Sequence, residues 1–207
     1  YIRLSDGASL LGGYALVAGG DADAVIDGVS LVGWYRVPTA DVPTLQIQAA
    51  NDWHGTVTVD VAAYSVEPVD ATPDADNTQL DTASFGVTVQ AVADAPVVAA
   101  PVSVAGNEDT SIALPGLSAA LTDVVATNGA EVLSVKISGV PQGSRFTSGS
   151  NNGDGSWTIS VADLATLAIT PPLNYAGTMT LTLTAIALEL ANGDEAQTSV
   201  NFNVVVA

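Results

Sequence analysis

Short runs in which apolar and polar residues alternate recur along the chain, and a period of two predicts β-strands. Clusters of Gly, Asn, Asp and Pro separate these runs and predict turns. Convincing long helical periodicity is absent, although 118–123 and 162–165 could each form one helical turn. The pattern predicts an all-β fold of antiparallel sandwich type. The clearest strand segments are 56–64, 85–92, 132–140, 156–161, 178–188 and 198–206.

An internal repeat sets the number of domains. The stretch GWYRVPTADVPTLQIQAANDWHGTVTVDVAAY in the first half aligns with GSWTISVADLATLAITPPLNYAGTMTLTLTAI in the second. The matched positions are aromatic, leucine and glycine residues that suit the core and corners of one sandwich. They pair Trp34 with Trp157, Leu45 with Leu167, Trp53 with Tyr175, Gly55 with Gly177 and Phe85 with Phe202. We therefore expect two tandem sandwiches, 1–94 and 95–207.

The first copy is predicted to be incomplete at its N-terminus. It begins with YIRLSDG, which aligns roughly with SVKISGV in the second copy, so the first two strands of the second copy have no counterpart. An incomplete sandwich has open edges and an uncovered core. The missing strands could lie upstream in a parent protein, come from another molecule, or be replaced by a rearrangement, and the sequence leaves these alternatives open.

The charge balance is strongly acidic, with 22 Asp and Glu residues against four Lys and Arg residues and a net charge of −18. Such a surface disfavours nucleic acid and anionic membranes, because both are bound through Lys and Arg. The acids lie in turns of both halves, which suits divalent cations, a high-salt solvent or solubility alone. The chain has no cysteine, and no apolar run of about 18 residues predicts membrane insertion.

Signals of catalysis are weak. His54 is the only histidine, whereas catalytic zinc generally has two or three His or Cys ligands. The sequence contains neither a G-x-S-x-G elbow nor a phosphate-binding loop. Acids are numerous, but none lies in a recognisable cleft with aromatic platforms. We therefore expect that the protein is not an enzyme.

Several motifs in the second copy occur in a distinctive order: VADAP, NEDTSIAL, GAEVLSVKISGVPQGSRF, NNGDGSWTIS and LAITPPLNYAGTMTLTLTA. Together they resemble the tandem Ig-like or cadherin-like repeats of large bacterial RTX adhesins, over 95–207 and more loosely over 33–94. The resemblance implies a secreted, cell-surface stalk in which calcium at the joints holds neighbouring domains extended and supports adhesion. It also implies that the first copy is the trailing half of a split domain that carries an inserted ligand-binding domain.

Calcium prefers six to eight hard oxygen ligands, several of them carboxylates. With the resemblance, this points to Asp94, Glu108, Asp109, Asp123 and Glu131 as calcium ligands at the joint. The loop VVATNGA, which Asp123 and Glu131 flank, should lie at the end of the domain that holds the linker acid Asp94. Glu108 and Asp109 should lie nearer the far end of the domain unless the first strand of the second copy is short or bulged. The alternative is that all five are solvated turn residues and caps.

Two further interpretations stay open. The acid-rich segment 67–81 includes DADN, whose alternating oxygens suit calcium, but a solvated loop is the favoured interpretation because an EF-hand's central Gly and distal Glu are missing. The irregular segment 12–28 is unlike the repeat, and it makes a ligand-binding module for sugar, peptide or a surface the alternative function. Self-association through the incomplete sheet is also possible.

Overall fold

The computed structural model describes residues 1–26, 28–66, 78–122 and 131–207. The chain forms two compact units, Tyr1–Gln90 and Ala91–Ala207, which we call the N-unit and the C-unit. The prediction of an all-β fold is confirmed. The sequence suggested a boundary after Asp94, whereas the C-unit begins at Ala91. The linker residues Ala91 and Ala93 are buried, which is why they belong to the C-unit.

The N-unit is built on a long antiparallel hairpin with a short third strand beside it, in the order β1-β6-β7. The described residues of this unit also form two smaller two-stranded sheets, β2-β5 and β3-β4, and a 3-10 turn at Val42–Thr44. The strands are β1 (Ile2–Leu4), β2 (Ser9–Leu11), β3 (Val25–Ile26), β4 (Val29–Ser30), β5 (Gln46–Gln48), β6 (Gly55–Val66) and β7 (Thr78–Val89).

The C-unit is a fuller sandwich. One sheet has six strands in the order β14-β15-β12-β17-β18-β9, and the smaller sheets are β10-β16-β13 and β11-β8. A 3-10 helix covers Val161–Thr166. The strands are β8 (Val97–Ala99), β9 (Ser103–Gly106), β10 (Ile112–Ala113), β11 (Ser118–Ala120), β12 (Glu131–Ser138), β13 (Arg145–Phe146), β14 (Ser150–Asn151), β15 (Trp157–Ile159), β16 (Ala168–Thr170), β17 (Gly177–Glu189) and β18 (Glu195–Val206).

Of the two suggested helical turns, the second is helical, and the described part of the first, 118–122, is not. Residues 162–165 lie in the 3-10 helix, whereas Ser118–Ala120 is a strand because it pairs with Val97–Ala99. In the C-unit core, alternate residues of the long strands point inward, among them Leu181, Leu183 and Phe202, each at most 1% exposed. On the outer face, Thr180 and Thr182 of β17 donate hydrogen bonds to the side-chain oxygens of Asn203 and Asn201.

The repeat is visible in the strand register. Gly55 pairs with Val89 and Val59 with Phe85, just as Gly177 pairs with Val206 and Leu181 with Phe202. The two glycines occupy the same unusual backbone conformation, with φ of 139° and 134°. Residues with a Cβ atom rarely adopt this backbone conformation, which explains why glycine occupies both positions.

The alignment of Trp34 with Trp157 is wrong by one residue. Trp157 pairs with Ile137 on β12, but the corresponding partner of Ile2 on β1 is Tyr35. A slip of one residue turns a strand side chain to the opposite face. Trp34 is consequently 5% exposed in a separate small core with Val17 and Leu31. Tyr35, which the sequence left without a counterpart, packs instead against the core that contains Val59.

Candidate cation-binding site

One end of the C-unit places two glutamates side by side where the alternation of the strands calls for apolar residues. Glu131 on β12 and Glu189 on β17 are direct cross-strand partners. Each belongs to the inward-facing series of its strand, since Glu131 precedes the buried Val135 by four residues and Glu189 follows the buried Ala187 by two. Since opposite residues on one face of a sheet have Cβ atoms about 5 Å apart, the two carboxyl groups are near neighbours.

The linker passes this end of the sandwich and is held there through its backbone. The Asp94 N–H donates to Glu131 Oε1 at 2.9 Å, and the Ala93 N–H donates to Asp194 Oδ2 at 2.9 Å. Asn192 Nδ2 donates to the carbonyl oxygen of Ala91 at 2.7 Å. Glu131 and Asp194 therefore each bind one backbone amide of the linker, which holds the backbone at Asp94 beside this end of the sandwich.

The remaining oxygens of the two glutamates have no partner. Glu131 Oε2 and Glu189 Oε2 are both buried and form no hydrogen bond within the described part of the chain. Glu189 is only 5% exposed. A buried charged oxygen without a partner is costly, and a bound cation is one way in which proteins compensate for it. These two oxygens are the strongest sign of a ligand in the C-unit.

The structure separates the predicted calcium ligands into two groups. Asp94 and Glu131 lie together, and Asp123 lies outside the described residues. Glu108 and Asp109 lie at the opposite end of the C-unit, because the Glu108 N–H bonds to the carbonyl of Ala207, just beyond the last strand. There Asp109 Oδ1 accepts a hydrogen bond from the backbone N–H of Asn174, which gives this acid a capping role.

The described residues do not bring together a complete set of metal ligands. Within residues 1–26, 28–66, 78–122 and 131–207, no group of three or more His, Cys, Asp or Glu side chains is close enough to hold a metal ion. The orphaned oxygens of Glu131 and Glu189 supply two hard ligands of the kind that Ca²⁺ takes. Among the described residues, Asp94 is the acid of the linker that lies beside this pair. The other predicted calcium segment, 67–81, lies outside the described residues except for 78–81.

Glu189 was not singled out in the sequence, although a signal was present. In TMTLTLTAIALE the odd-numbered positions from Met179 onward are apolar, and an acid at the next odd position breaks that series. Asp194 follows in the turn after this strand, where the sequence alone does not distinguish a linker-binding acid from a solvated one.

In the N-unit, the irregular segment 12–28 is tied to the chain terminus by a polar network. Arg36 forms ion pairs with Asp21 and Asp23, and the Tyr1 hydroxyl donates to Asp23. The hydrogen bonds from Arg36, and then from Tyr1, hold the pKa of Asp23 well below its usual range. Burial, followed by the hydrogen bond to Asp23, raises the pKa of the Tyr1 phenol above its usual range. This network fixes part of the segment in place.

No protein-family model matches the sequence, and no curated protein matches it. Among solved structures, cadherin-like domains 1 to 4 of zebrafish RET are similar at 12% identity with a TM-score of 0.26. The match covers 99% of this chain but 41% of that one. A TM-score at this level does not establish a common fold. No helix in the described part of the chain is long and apolar enough to cross a membrane.

Proposed function

We propose that the chain is a non-catalytic segment of a secreted bacterial adhesin of RTX type, and that Ca²⁺ bound at the acidic end of the C-unit stiffens the linker. The observation that supports this proposal most directly is the pair of buried oxygens on Glu131 and Glu189 that have no hydrogen-bond partner among the described residues. Glu131 also binds the linker at Asp94, so an ion at this position would act directly on the first residues of the C-unit. The sequence motifs that resemble RTX adhesin repeats support the class of protein.

The proposed mechanism is entropic. Without a cation, the like charges of Glu131 and Glu189 repel each other and weaken the contact between Glu131 and the linker backbone. A bound Ca²⁺ would neutralise this repulsion and supply a common centre for the carboxylates. The linker then samples fewer conformations, and a stalk built from such segments holds a ligand-binding domain away from the cell surface.

Calcium titration by calorimetry tests this function, with thermal unfolding and small-angle X-ray scattering recorded in chelator and in calcium. We expect binding, a higher melting temperature and a longer particle in calcium. Glu189→Gln and Glu131→Gln should abolish all three effects, whereas Glu108→Gln at the opposite end of the C-unit is the matched control. If calcium changes neither stability nor shape, the acids serve solubility alone and the proposal is wrong.

A further inference from the structure

Two phenylalanines at equivalent positions of the repeat differ sharply in burial. Phe202 pairs with Leu181 and is 1% exposed, whereas Phe85 pairs with Val59 and is 53% exposed. The phenylalanine at this repeat position is therefore buried in the core of the C-unit but half exposed to solvent in the N-unit. The difference lies in what covers each residue, since the strand register around the two is the same.

In the C-unit, two early strands close the sandwich. Strand β9 pairs in parallel with the outer edge of β18, and β10 pairs with the outer edge of β16. In the N-unit, β7 and β5 occupy the places of β18 and β16, but their outer edges are unpaired within the described residues. The edge of β7 is twelve residues long, and its even-numbered residues have their N–H groups on the unpaired side.

A cavity of about 750 Å³ lies beside this open edge within the N-unit. Its apolar walls come from the hairpin on one side and from the segment around the Val42–Thr44 turn on the other, including Val59, Phe85, Val42, Leu45 and Ile47. The volume is in the range of ligand sites, and the lining is mostly apolar. An exposed sheet edge next to an apolar cavity is the arrangement that accepts an added strand.

The charge of the N-unit restricts what can bind there. Residues 1–90 contain twelve acids and two arginines, which gives a net charge of −10. Both arginines are already paired, Arg3 with Asp60 and Arg36 with Asp21 and Asp23. The surrounding field is therefore negative, so it repels a second copy of this acidic chain and attracts a cationic segment.

We propose that the N-unit binds an extended segment of a separate polypeptide, which adds in parallel to the outer edge of β7. Alternate small apolar side chains of this segment fill the cavity against Phe85, and lysine or arginine residues flank the segment. The strands that close the C-unit show the expected chemistry: the segment 97–106 contains β8 and β9, is mostly Val and Ala, and carries no charge. This inference does not depend on calcium.

The probe is a synthetic peptide with the sequence 97–106 and a lysine at each end, titrated into the full 207-residue chain by calorimetry. The comparison peptides carry glutamate at each end or have the same residues in scrambled order. We expect the lysine peptide to bind about tenfold more tightly than the glutamate peptide at low salt, and the difference to shrink at 1 M salt. Amides of β7 should gain protection from hydrogen exchange.

Two variants test the mode of binding. Thr88 corresponds to Val205, which lies two residues from Asn203 and so points its N–H to the same side of β18. The Asn203 N–H donates to the carbonyl oxygen of Val102, just before β9. Thr88→Pro therefore removes an N–H from the free edge and spares the bonds to β6. Phe85→Ala removes the cavity contact at a half-exposed position, where we expect a small loss of stability. Each should weaken binding about tenfold, and Val102→Ala in the C-unit should not.

Four results would overturn the proposal. They are no binding of the lysine peptide, equal binding of the scrambled peptide, unchanged binding in both variants, and a concentration-dependent dimer that Phe85→Ala abolishes. The last result would assign the edge to a second copy of the chain. Sedimentation velocity at several protein concentrations distinguishes it from peptide binding.

Discussion

Glu131 and Glu189 face each other across β12 and β17 as cross-strand partners, and each keeps one buried oxygen without a hydrogen-bond partner among the described residues. Like charges directly opposite in a sheet are destabilising, so this pair lowers the stability of the C-unit when nothing lies between the carboxylates. Under the proposed function, we expect the same pair to become favourable when a cation is bound. The stability of the C-unit should then depend on the ionic environment.

The effect of Glu189→Gln on stability should change sign with calcium. In chelator the substitution removes like-charge repulsion and should raise the free energy of unfolding by up to about 1 kcal/mol. In millimolar calcium it removes a ligand and should lower that free energy relative to the wild type. Thermal unfolding with hydrogen exchange of the β17 amides measures both. The control is Glu195→Gln, an exposed acid on the same hairpin; an identical response of the two variants would contradict the cation site.

The two equivalent phenylalanines should differ greatly in what they contribute to stability. Phe202→Ala creates a cavity in a filled core and should lower the free energy of unfolding by about 3–5 kcal/mol. Phe85→Ala removes a half-exposed side chain and should cost less than about 1 kcal/mol. Native-state hydrogen exchange of the β17 and β6 amides reports on each unit separately. Equal losses would mean that the cavity beside Phe85 is closed in solution.

Acid should weaken the N-unit through the Arg36 network. Because the pKa values of Asp21 and Asp23 are lowered by their hydrogen bonds, the network stabilises the fold above pH about 4. That contribution is lost as the pH falls through the lowered folded-state values. We therefore expect the stability difference between the wild type and Arg36→Gln to be largest at neutral pH and to shrink toward pH 2. The control is Arg145→Gln in the C-unit, and a difference that stays constant with pH would refute the assignment.

Gly55 should tolerate no side chain. Its φ is 139°, and a Cβ there would lie 3.1 Å from the Trp53 ring. Gly55→Ala should therefore lower the free energy of unfolding by about 1–3 kcal/mol. Gly19→Ala is the matched control because a Cβ at Gly19 meets nothing within 4 Å. Urea denaturation of both variants measures the difference, and equal stabilities would show that the β6 corner relaxes without cost.

The strands and the repeat could be predicted because alternation and turn residues are local signals, and the Phe85–Phe202 and Gly55–Gly177 matches share one register in the structure. The repeat position of Trp34 could not be predicted, because the length of the preceding loop sets its strand register. No local sequence pattern indicates that length. Glu189 breaks a regular series and could have been identified. The position of Glu108 depends on the parallel pairing of β9 with β18, which is a long-range feature.

That parallel pairing has a mechanical consequence. Strand β9 lies early in the C-unit and β18 ends it, and their four paired positions run in the same direction. Ala91 lies at the start of β18 and Ala207 at its far end, so tension between these residues runs along the strands and across their hydrogen bonds. The bonds are then loaded in shear and must rupture together instead of one after another. A domain with this strand arrangement resists mechanical unfolding even when its equilibrium stability is modest.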